Sequence, residues 1–353
     1  MEKRNIVGAD LADISGFVTG HGLPKYLARE IALWVYRRGA KSFDEMTNIS
    51  KAARTLLDKH FIFKLSPPVK VQVSSDGTKK YLFSSLNNKF IETAYMPDKK
   101  RNTLCVSTQV GCKMGCRFCM TARQGLQGQL SAGDILNQIL GLPEKDTLTN
   151  LVYMGMGEPF DNTDEVLKSL DIITSDYGMA ISPRKITVST IGLIPGMKRF
   201  IEHSKCNLAI SMHSPFDEER KKLMPVQKLY PIDEIIQLLK ASNFEKQRRI
   251  SFEYILFKGL NDTDAHVKQL ARILNGLRCK INLMHFHTIP GSSLTGCDDA
   301  SIKSFQDKLN DKGIVATVRA SRGEDILAAC GMLSTGAILG STAVPNNSPE
   351  PAN

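Results

Sequence analysis

Three cysteines fall within eight residues in Gln109-Val-Gly-Cys112-Lys-Met-Gly-Cys116-Arg-Phe-Cys119. Free thiols this close together invite oxidation unless they are ligated. Their C-x3-C-x2-C spacing is not that of the common zinc patterns, which pair C-x2-C units or add histidines to reach four ligands, and no fourth Cys or His stands nearby. A [4Fe–4S] cluster normally takes four cysteines. Cys112, Cys116 and Cys119 alone would leave one iron without a protein ligand, and an open coordination site is where a substrate binds. A zinc knuckle or three buried core thiols are the alternatives.

Further residues suited to ligand contact stand at the ends of expected strands. Gly155-Met-Gly157-Glu158-Pro159 follows the second, Ser189 ends the third, and Ser211-Met212-His213 ends the fourth. The glycines let backbone approach a ligand closely, and Glu158 can accept from an ammonium. Alone, a Gly-Glu-Pro turn is only a turn. Four such sites at successive strand ends are hard to explain as loop punctuation.

The elements that must position these residues follow from hydrophobic period. From Thr103 onward strands and helices alternate, with strands expected at Thr103–Gln109, Asn150–Met156, Lys185–Thr190, Asn207–His213, Ile250–Leu256 and Lys280–Phe286. Amphipathic segments such as Asp134–Leu142, Ile232–Leu239 and Asp264–Leu274 fill the gaps. Six strand–helix units predict a parallel α/β sheet, open as a partial (βα)6 barrel because the strands are fewer than eight. A seventh strand at Ala316–Ala320 and a short helix after Asp325 finish this core, which is expected over 99–335. Residues 1–62 read as a small helical unit, with one helix opening at Leu23-Pro24, carrying Leu27, Ile31 and Val35 and stopping near Gly39, and a second over Ser50–Lys59. Residues 63–98 change period: Val69, Val71 and Val73 alternate with polar residues, Asp76-Gly77 signals a hairpin, Lys80–Phe83 returns, and Lys89–Tyr95 follows a turn at Asn87-Asn88. The end of the chain, 336–353, is polar and proline-rich from Ser341 and is expected to be disordered.

Composition bounds the function. The chain has 353 residues, and 46 Lys+Arg against 36 Asp+Glu give a formal charge of +10. No apolar run approaches the ~18 residues of a membrane span, and the charged start leads into no apolar signal segment. Eight cysteines are too few for a disulfide scaffold. A cytoplasmic protein with no membrane partner is expected, and the basic excess favours a polyanion.

With these segments in view, the chain resembles the radical S-adenosylmethionine superfamily. Three stretches narrow the resemblance: Arg101-Asn-Thr-Leu-Cys105-Val-Ser-Thr-Gln-Val-Gly-Cys112, Met154-Gly-Met-Gly-Glu-Pro159 and Arg319-Ala-Ser-Arg322-Gly-Glu-Asp325-Ile-Leu-Ala-Ala-Cys330-Gly331. They are similar to the dual-specificity 23S rRNA and tRNA adenine-C2 methyltransferases of that superfamily, over nearly the whole chain except the tail. The resemblance implies a [4Fe–4S] cluster on Cys112, Cys116 and Cys119 whose open iron chelates S-adenosylmethionine. It implies cosubstrate contacts from Gly157, Glu158, Ser189, Ser211, Met212 and His213. Carbon 2 of adenine is electron-poor and cannot attack a sulfonium methyl directly. In the family one S-adenosylmethionine methylates a cysteine, matching Cys330, and a second yields a radical that activates this methyl group. A second thiol, matching Cys105, releases product through a transient disulfide, and a base matching Glu92 removes the C2 proton. Arg319 and Arg322 are placed to favour the Cys330 thiolate. One departure is His285-Phe286-His287 where the family has Pro-Trp-Asn, so His287 would replace an Asn contact to S-adenosylmethionine. Cys206, Cys279 and Cys297 match no role.

The partners implied are 23S rRNA, tRNA and a reduced electron donor such as flavodoxin or ferredoxin, with the chain acting as a monomer. Basic clusters for RNA are Lys99-Lys100-Arg101, Arg220-Lys221-Lys222 and Arg248-Arg249, and Arg29, Arg37 and Arg38 make the helical unit a candidate clamp. The rival readings are an adenine-C8 methyltransferase with the same cysteines, another radical enzyme needing only the cluster loop, and an iron–sulfur or zinc RNA-binding module.

Overall fold

The computed structural model describes residues 3–85, 89–244 and 249–335. The turn expected at Asn87-Asn88, the cation Arg248 and the tail lie outside them.

The chain opens with three helices. Helix α1 (Leu11–Gly20) starts from a reciprocal capping box between Asp10 and Asp13. The sequence reading passed over it, because two glycines and a threonine dilute the apolar stripe of Ile14, Phe17 and Val18. Helix α2 (Tyr26–Tyr36) buries Leu27, Ile31 and Val35 as their spacing requires. Helix α3 (Lys51–His60) is capped by Ser50, whose hydroxyl accepts from the Ala53 amide at 3.3 Å.

A ten-stranded sheet follows: β1 (Lys70–Val73), β2 (Lys79–Ser84), β3 (Phe90–Asp98), β4 (Arg101–Cys105), β5 (Asn150–Tyr153), β6 (Ile186–Thr190), β7 (Asn207–Ser211), β8 (Ile250–Ile255), β9 (Cys279–Met284) and β10 (Ala316–Val318). Spatial order follows chain order. β4 to β10 are parallel, and β1 to β3 extend them antiparallel. Helix α4 (Met120–Gln124) sits in the cysteine segment. The crossovers are α5 (Ala132–Leu140), α6 (Thr163–Thr174), α7 (Ile194–His203), the pair α8 (Asp217–Leu223) and α9 (Ile232–Ala241), α10 (Asp264–Leu274) and α11 (Asp299–Asp311). This is the six-unit α/β architecture expected, with the seventh strand at its edge.

Strand alternation divides outer from inner residues. Leu151, Tyr153, Leu208, Ile210, Phe252, Tyr254, Ile281 and Leu283 are buried in the main apolar core. Each fully buried aliphatic or aromatic side chain contributes about 1.5–3 kcal/mol. Their alternates, among them Asn150, Ser251, Glu253, Lys280, Asn282 and Thr317, line a polar cavity. The face of β1 differs from expectation: Val69, Val71 and Val73 are 57%, 48% and 59% exposed. Register explains this. Lys70 pairs with Leu82 and Gln72 with Lys80, on the face of Lys80 and Glu92, so the valines take the opposite face at an uncovered edge. The expected strand Thr103–Gln109 ends at Cys105, and Gln109–Val110 forms a separate two-residue pair with Gly128–Gln129. The short helix expected after Asp325 is instead a run of turns.

The helical unit packs into the same apolar core as the sheet. Gly8, at φ +109°, meets Gly133 at the start of α5, where a side-chain carbon on Gly133 would lie 2.4 Å from the Val7 carbonyl oxygen. Lys168 of α6 pairs with Asp13. Arg29 donates to both carboxylate oxygens of Asp176 at 3.0 and 2.8 Å, and Arg37 reaches the Asp176 carbonyl at 3.4 Å. Arg38 pairs with Glu30 and covers the Trp34 ring. The three arginines expected as a clamp are thus engaged within the protein, two of them pinning the unit to the loop that follows α6.

The two ends of the sheet meet without strand pairing. Ser74 donates to Asp325 at 2.5 Å, the Ser75 amide donates to the same carboxylate at 3.1 Å, and the Gly323 amide donates to Asp76 at 3.0 Å. The β1–β2 hairpin is thereby clasped to the segment that follows β10.

Two outcomes follow. Gly133→Ala forces a methyl group into the Val7 carbonyl and should cost about 1–3 kcal/mol in urea unfolding; a loss within about 0.5 kcal/mol would mean the contact is not tight. Asp325→Ala should speed amide hydrogen exchange over 323–331 by about tenfold, the loss of roughly 1.4 kcal/mol of local stability, leaving β7 and β8 protected as before.

Candidate active site in the barrel

The cysteine segment leaves β4 through Val106–Gln109 and turns at Gly111, φ +75°, where a side chain would collide with the Gly125 carbonyl. Cys112, Cys116 and Cys119 line one cavity. Burial pushes the thiols of Cys112 and Cys116 up, Cys112 to about 12. The Met114 amide is directed at the sulfur of Cys112, and those of Thr121 and Ala122 at Cys119. Amide donors of this kind favour thiolates and are the protein's means of tuning a bound cluster. Among the described residues no three His, Cys, Asp or Glu side chains converge as ligands of a single metal ion. The donor set, three sulfurs on one cavity with aimed amides, fits an iron–sulfur cluster.

Gly157, Glu158, Ser189, Ser211 and His213 line the same cavity. Gly157 takes φ +103°, and a side chain there would lie 2.6 Å from Gln109. Gly155 is packed as closely on Ser107 and Val106. Their need for glycine therefore arises from the neighbouring backbone, beyond any ligand approach. Glu158 is buried and bonded on both oxygens: Thr190 donates at 2.6 Å and the Phe160 amide at 3.0 Å to one, and the Ile191 amide at 2.9 Å to the other, which can accept once more. Burial nevertheless pushes its carboxyl up to about 7. His213 takes φ +56°, and its Nδ1 accepts from the Ile255 amide at 3.0 Å. The ring proton is therefore on Nε2, and burial, then Arg220, pushes the imidazole down to about 3, so it is neutral.

Two residues lie elsewhere. Met212 is buried in the apolar core and lines neither this cavity nor its neighbour, because alternation turns it away from Ser211. His287 lines only the neighbouring cavity, with Nε2 3.0 Å from the Ser321 hydroxyl and Nδ1 3.1 Å from Glu324.

That neighbouring cavity also holds Cys105, and Met154, Arg319 and Cys330 stand on the wall common to both. Cys330 is exposed and sits in a turn. The turn is fixed on the cysteine loop: the Met120 amide donates to the Gly331 carbonyl at 2.8 Å, and Thr121 donates to the Leu333 carbonyl at 2.7 Å. Cys105 is buried; burial, then the nearby Cys330, pushes its thiol up to about 12, and Arg319 pulls the other way. Arg319 donates to Glu253 at 3.4 Å. Arg322 pairs with Asp98 instead.

Glu92 is fully buried and lines neither cavity. Its Oε2 accepts from the Ser334 amide at 2.8 Å, and Lys80 lies 3.5 Å from Oε1. Burial pushes its carboxyl up to about 7 against the pull of Lys80.

The sequence reading did not single out Glu253 or Lys80. Glu253 had a signal: a lone acid between Phe252 and Tyr254 in an otherwise apolar strand. Lys80 had none, since Lys79-Lys80 beside a hairpin reads as solvated. Arg220, expected on an RNA-facing surface, is wholly buried. It donates to Gln227, to the Ile191 carbonyl at 2.7 Å and to the Ser211 carbonyl at 3.1 Å, beneath the cavity.

Comparison with known proteins agrees with this geometry. Residues 106–271 match the family model of the radical SAM superfamily, and residues 4–63 match that of the ribosomal RNA large subunit methyltransferase N-terminal domain. A probable dual-specificity RNA methyltransferase RlmN of Parabacteroides distasonis is 52% identical, covering 95% of this chain and 98% of the relative. A dual-specificity RNA methyltransferase RlmN of Syntrophus aciditrophicus is 45% identical over 95% and 97%. The crystal structure of a radical SAM methyltransferase from Sphaerobacter thermophilus superposes with a TM-score of 0.86 at 39% identity, covering 94% of this chain and 99% of that one. The chain belongs to the RlmN family of dual-specificity RNA methyltransferases, built on the radical SAM barrel.

Proposed function

We propose that this chain methylates carbon 2 of adenine in 23S rRNA and in tRNA, in the cytoplasm and as a monomer, using two S-adenosylmethionine molecules. The observation that carries this reading is the meeting of two thiols outside the cluster loop, Cys330 and Cys105, beside Arg319 in the cavity that shares a wall with that of Cys112, Cys116 and Cys119. A radical enzyme that only generates its radical needs the loop and the cosubstrate contacts. It has no use for a thiol pair.

Cys112, Cys116 and Cys119 would hold the [4Fe–4S] cluster, which, supplied by a reduced flavodoxin or ferredoxin, would provide one electron to S-adenosylmethionine. Gly157, Glu158, Ser189, Ser211 and the Nε2–H of His213 would face that cosubstrate, and Glu158 suits its ammonium. Met212 supports this wall from behind, and His287 holds the Ser321 turn. Cys330 takes a methyl group: its thiolate forms the carbon–sulfur bond as the sulfonium bond breaks. Arg319 lies beside it and interacts with it electrostatically. The deoxyadenosyl fragment of the second S-adenosylmethionine takes one hydrogen atom from that methyl group, and the methyl carbon bonds to carbon 2. Glu92 accepts the proton leaving carbon 2, and the surplus electron would return to the cluster. Cys105 attacks the Cys330 sulfur, whose bond to the transferred carbon breaks; that carbon takes a proton as the product leaves, and a cellular thiol reductant reopens the disulfide.

RNA phosphate contacts are assigned to Arg101, Arg184, Arg249 and Lys280, which gather at the end of the barrel where the strands begin. Among the described residues none of the four side chains forms an ion pair. The target adenine must leave its stack to pass this rim.

Nucleoside mass spectrometry on RNA treated with reduced, cluster-loaded enzyme tests the reading. It should show 2-methyladenosine with wild type and none with Cys330→Ala, whereas 8-methyladenosine would transfer the assignment to the rival chemistry. Cys105→Ala should accumulate RNA covalently attached at Cys330. The Arg184→Glu, Arg249→Glu double variant should raise KM for RNA by about tenfold or more, and flatten the dependence of log affinity on log salt by about 1.4–2. An unchanged salt slope would remove these cations from the RNA surface.

A further inference from the structure

Lys80 is a fully buried ammonium to which the proposed chemistry gives no task. Its neighbour Lys79 points outward to Glu144 at 2.7 Å, while Lys80 points into the barrel and is 1% exposed. Its Nζ meets two groups. One is Oε1 of Glu92 at 3.5 Å, an oxygen that has no hydrogen-bond partner. The other is the Leu327 carbonyl at 3.3 Å. Leu327 takes φ +55°, a conformation costly for a branched side chain, three residues before Cys330. An unpaired buried carboxylate is expensive, and a carbonyl held by an ammonium is fixed in place.

We propose that Lys80 is a positioning residue that couples base to methyl carrier: one ammonium keeps Glu92 ionised and aims Oε1, and at the same time holds the Leu327 carbonyl so that the turn presents Cys330. This rests on the reading of Glu92 as base and Cys330 as carrier.

Register supports the coupling. Leu82 pairs with Glu92, Lys80 with Ala94, and Ala94 with Cys105, so Lys80, Glu92 and Cys105 share one face of three adjacent strands. The titratable groups around the carboxyl are few. β2 supplies Lys80, β1 supplies Lys70 behind it, and β4 supplies the neutral thiol of Cys105. α5 brings the uncharged Gln138, which accepts from Thr93. The C-terminal segment brings the backbone of Ser334, with Cys330 farther along. Burial raises the Glu92 carboxyl to about 7 and lowers the Lys80 ammonium, and their mutual attraction opposes both shifts. The sign is then fixed. The accepting form of Glu92 is the carboxylate. Removing the ammonium raises its pKa further and moves the acidic limb of the rate profile to higher pH. In the step itself the proton from carbon 2 goes to Oε1, the electron pair of the C–H bond stays in the adenine ring, the one surplus electron of the adduct would return to the cluster, and Glu92 later releases the proton to water.

The test compares Lys80→Met, Lys80→Gln and Lys80→Arg in the cluster-loaded full chain. Methyl transfer is followed from about pH 6 to pH 9, and Cys330 methylation is read separately by peptide mass spectrometry. The acidic limb of Lys80→Met should rise by about one unit or more, so that activity falls about tenfold more near pH 6.5 than near pH 9. Lys80→Arg should restore most of the wild-type profile. Equal loss at every pH, or an unmoved limb, overturns the proposal. Lys80→Gln is read in the same way should Lys80→Met not fold. In Lys80→Gln, amide exchange over 326–331 should quicken by about tenfold, and unchanged exchange denies the tether to Leu327. Glu92→Gln is the separate control: full activity there sinks the base assignment itself, whatever Lys80 does.

Discussion

An open sheet has two free ends, and here the chain brings residues from both ends into one region. Glu92 and Cys105 belong to the antiparallel side and its junction, while Arg319 and Cys330 follow the last parallel strand. No strand pairing joins β1 to β10. The hydrogen bonds of Asp325 to Ser74 and Ser75, and of Gly323 to Asp76, take its place. Carboxylate acceptors make this clasp stronger per bond than a strand ladder, and it occupies five residues rather than a pair of strands. Gly323 at φ +63° lets the segment press on Thr78, where a side chain would sit 2.8 Å from its methyl carbon. The Gly331–Met120 bond then fixes the other side of the turn on the cysteine loop. Cys330 is thus held between two anchors while the residue stays exposed, as the proposed methyl carrier requires.

The same arrangement explains why the interior tolerates so many charges. Burying an isolated ion costs several kcal/mol, so each buried charge here has a fixed partner. Glu158 is satisfied by two amides and a hydroxyl, Arg220 by two carbonyls and Gln227, and Glu253 by Asn282 at 2.7 Å and Arg319. Such networks do little for stability compared with apolar packing, but they hold polar atoms at set positions before any ligand arrives. The match is incomplete at Arg220, whose Nε has no hydrogen-bond partner, and at Glu92, with one oxygen lacking a hydrogen bond and an ammonium near it. On the proposed reading of Glu92 as base, partial satisfaction suits it, since a full set of donors would hold it permanently ionised.

Much of this was legible in the sequence, for identifiable reasons. The parallel strands were, because outer apolar residues such as Leu208 and Ile210 alternate with Ala209 and Ser211, and helices with clear periods separate them. The cysteine loop and the strand-end residues were, because backbone order alone brings strand termini together. Contacts that depend on tertiary closure were not. Nothing local distinguishes the inward Lys80 from the outward Lys79, or tells that Arg220 goes inside while Lys221 and Lys222 stay on the surface of α8. The valines of β1 misled for the same reason: alternation gives two faces, and only the partner strand decides which is covered. The turns after Asp325 look helical in composition, yet Gly331 at φ +82° and the clasp favour a folded turn.

Alternation also gives the barrel two chemically different ends joined by a shared wall. Glu253 and Arg319 line both the cavity with the cysteine loop and the cavity with Arg101, Arg184, Arg249 and Lys280. At the strand C-termini the lining is sulfur, glycine backbone and neutral imidazole, suited to a small zwitterionic cosubstrate. At the strand N-termini it is cationic and amide-bearing, suited to phosphate. A polyanion attracted to the second end meets at the wall the one guanidinium that also lies beside Cys105 and Cys330. Because Arg319 is held by Glu253, its charge is partly neutralised from the phosphate side and is available to the thiols. On the proposed reading, long-range attraction of RNA falls to Arg101, Arg184, Arg249 and Lys280 while Arg319 serves the thiols, so that the two tasks use different cations.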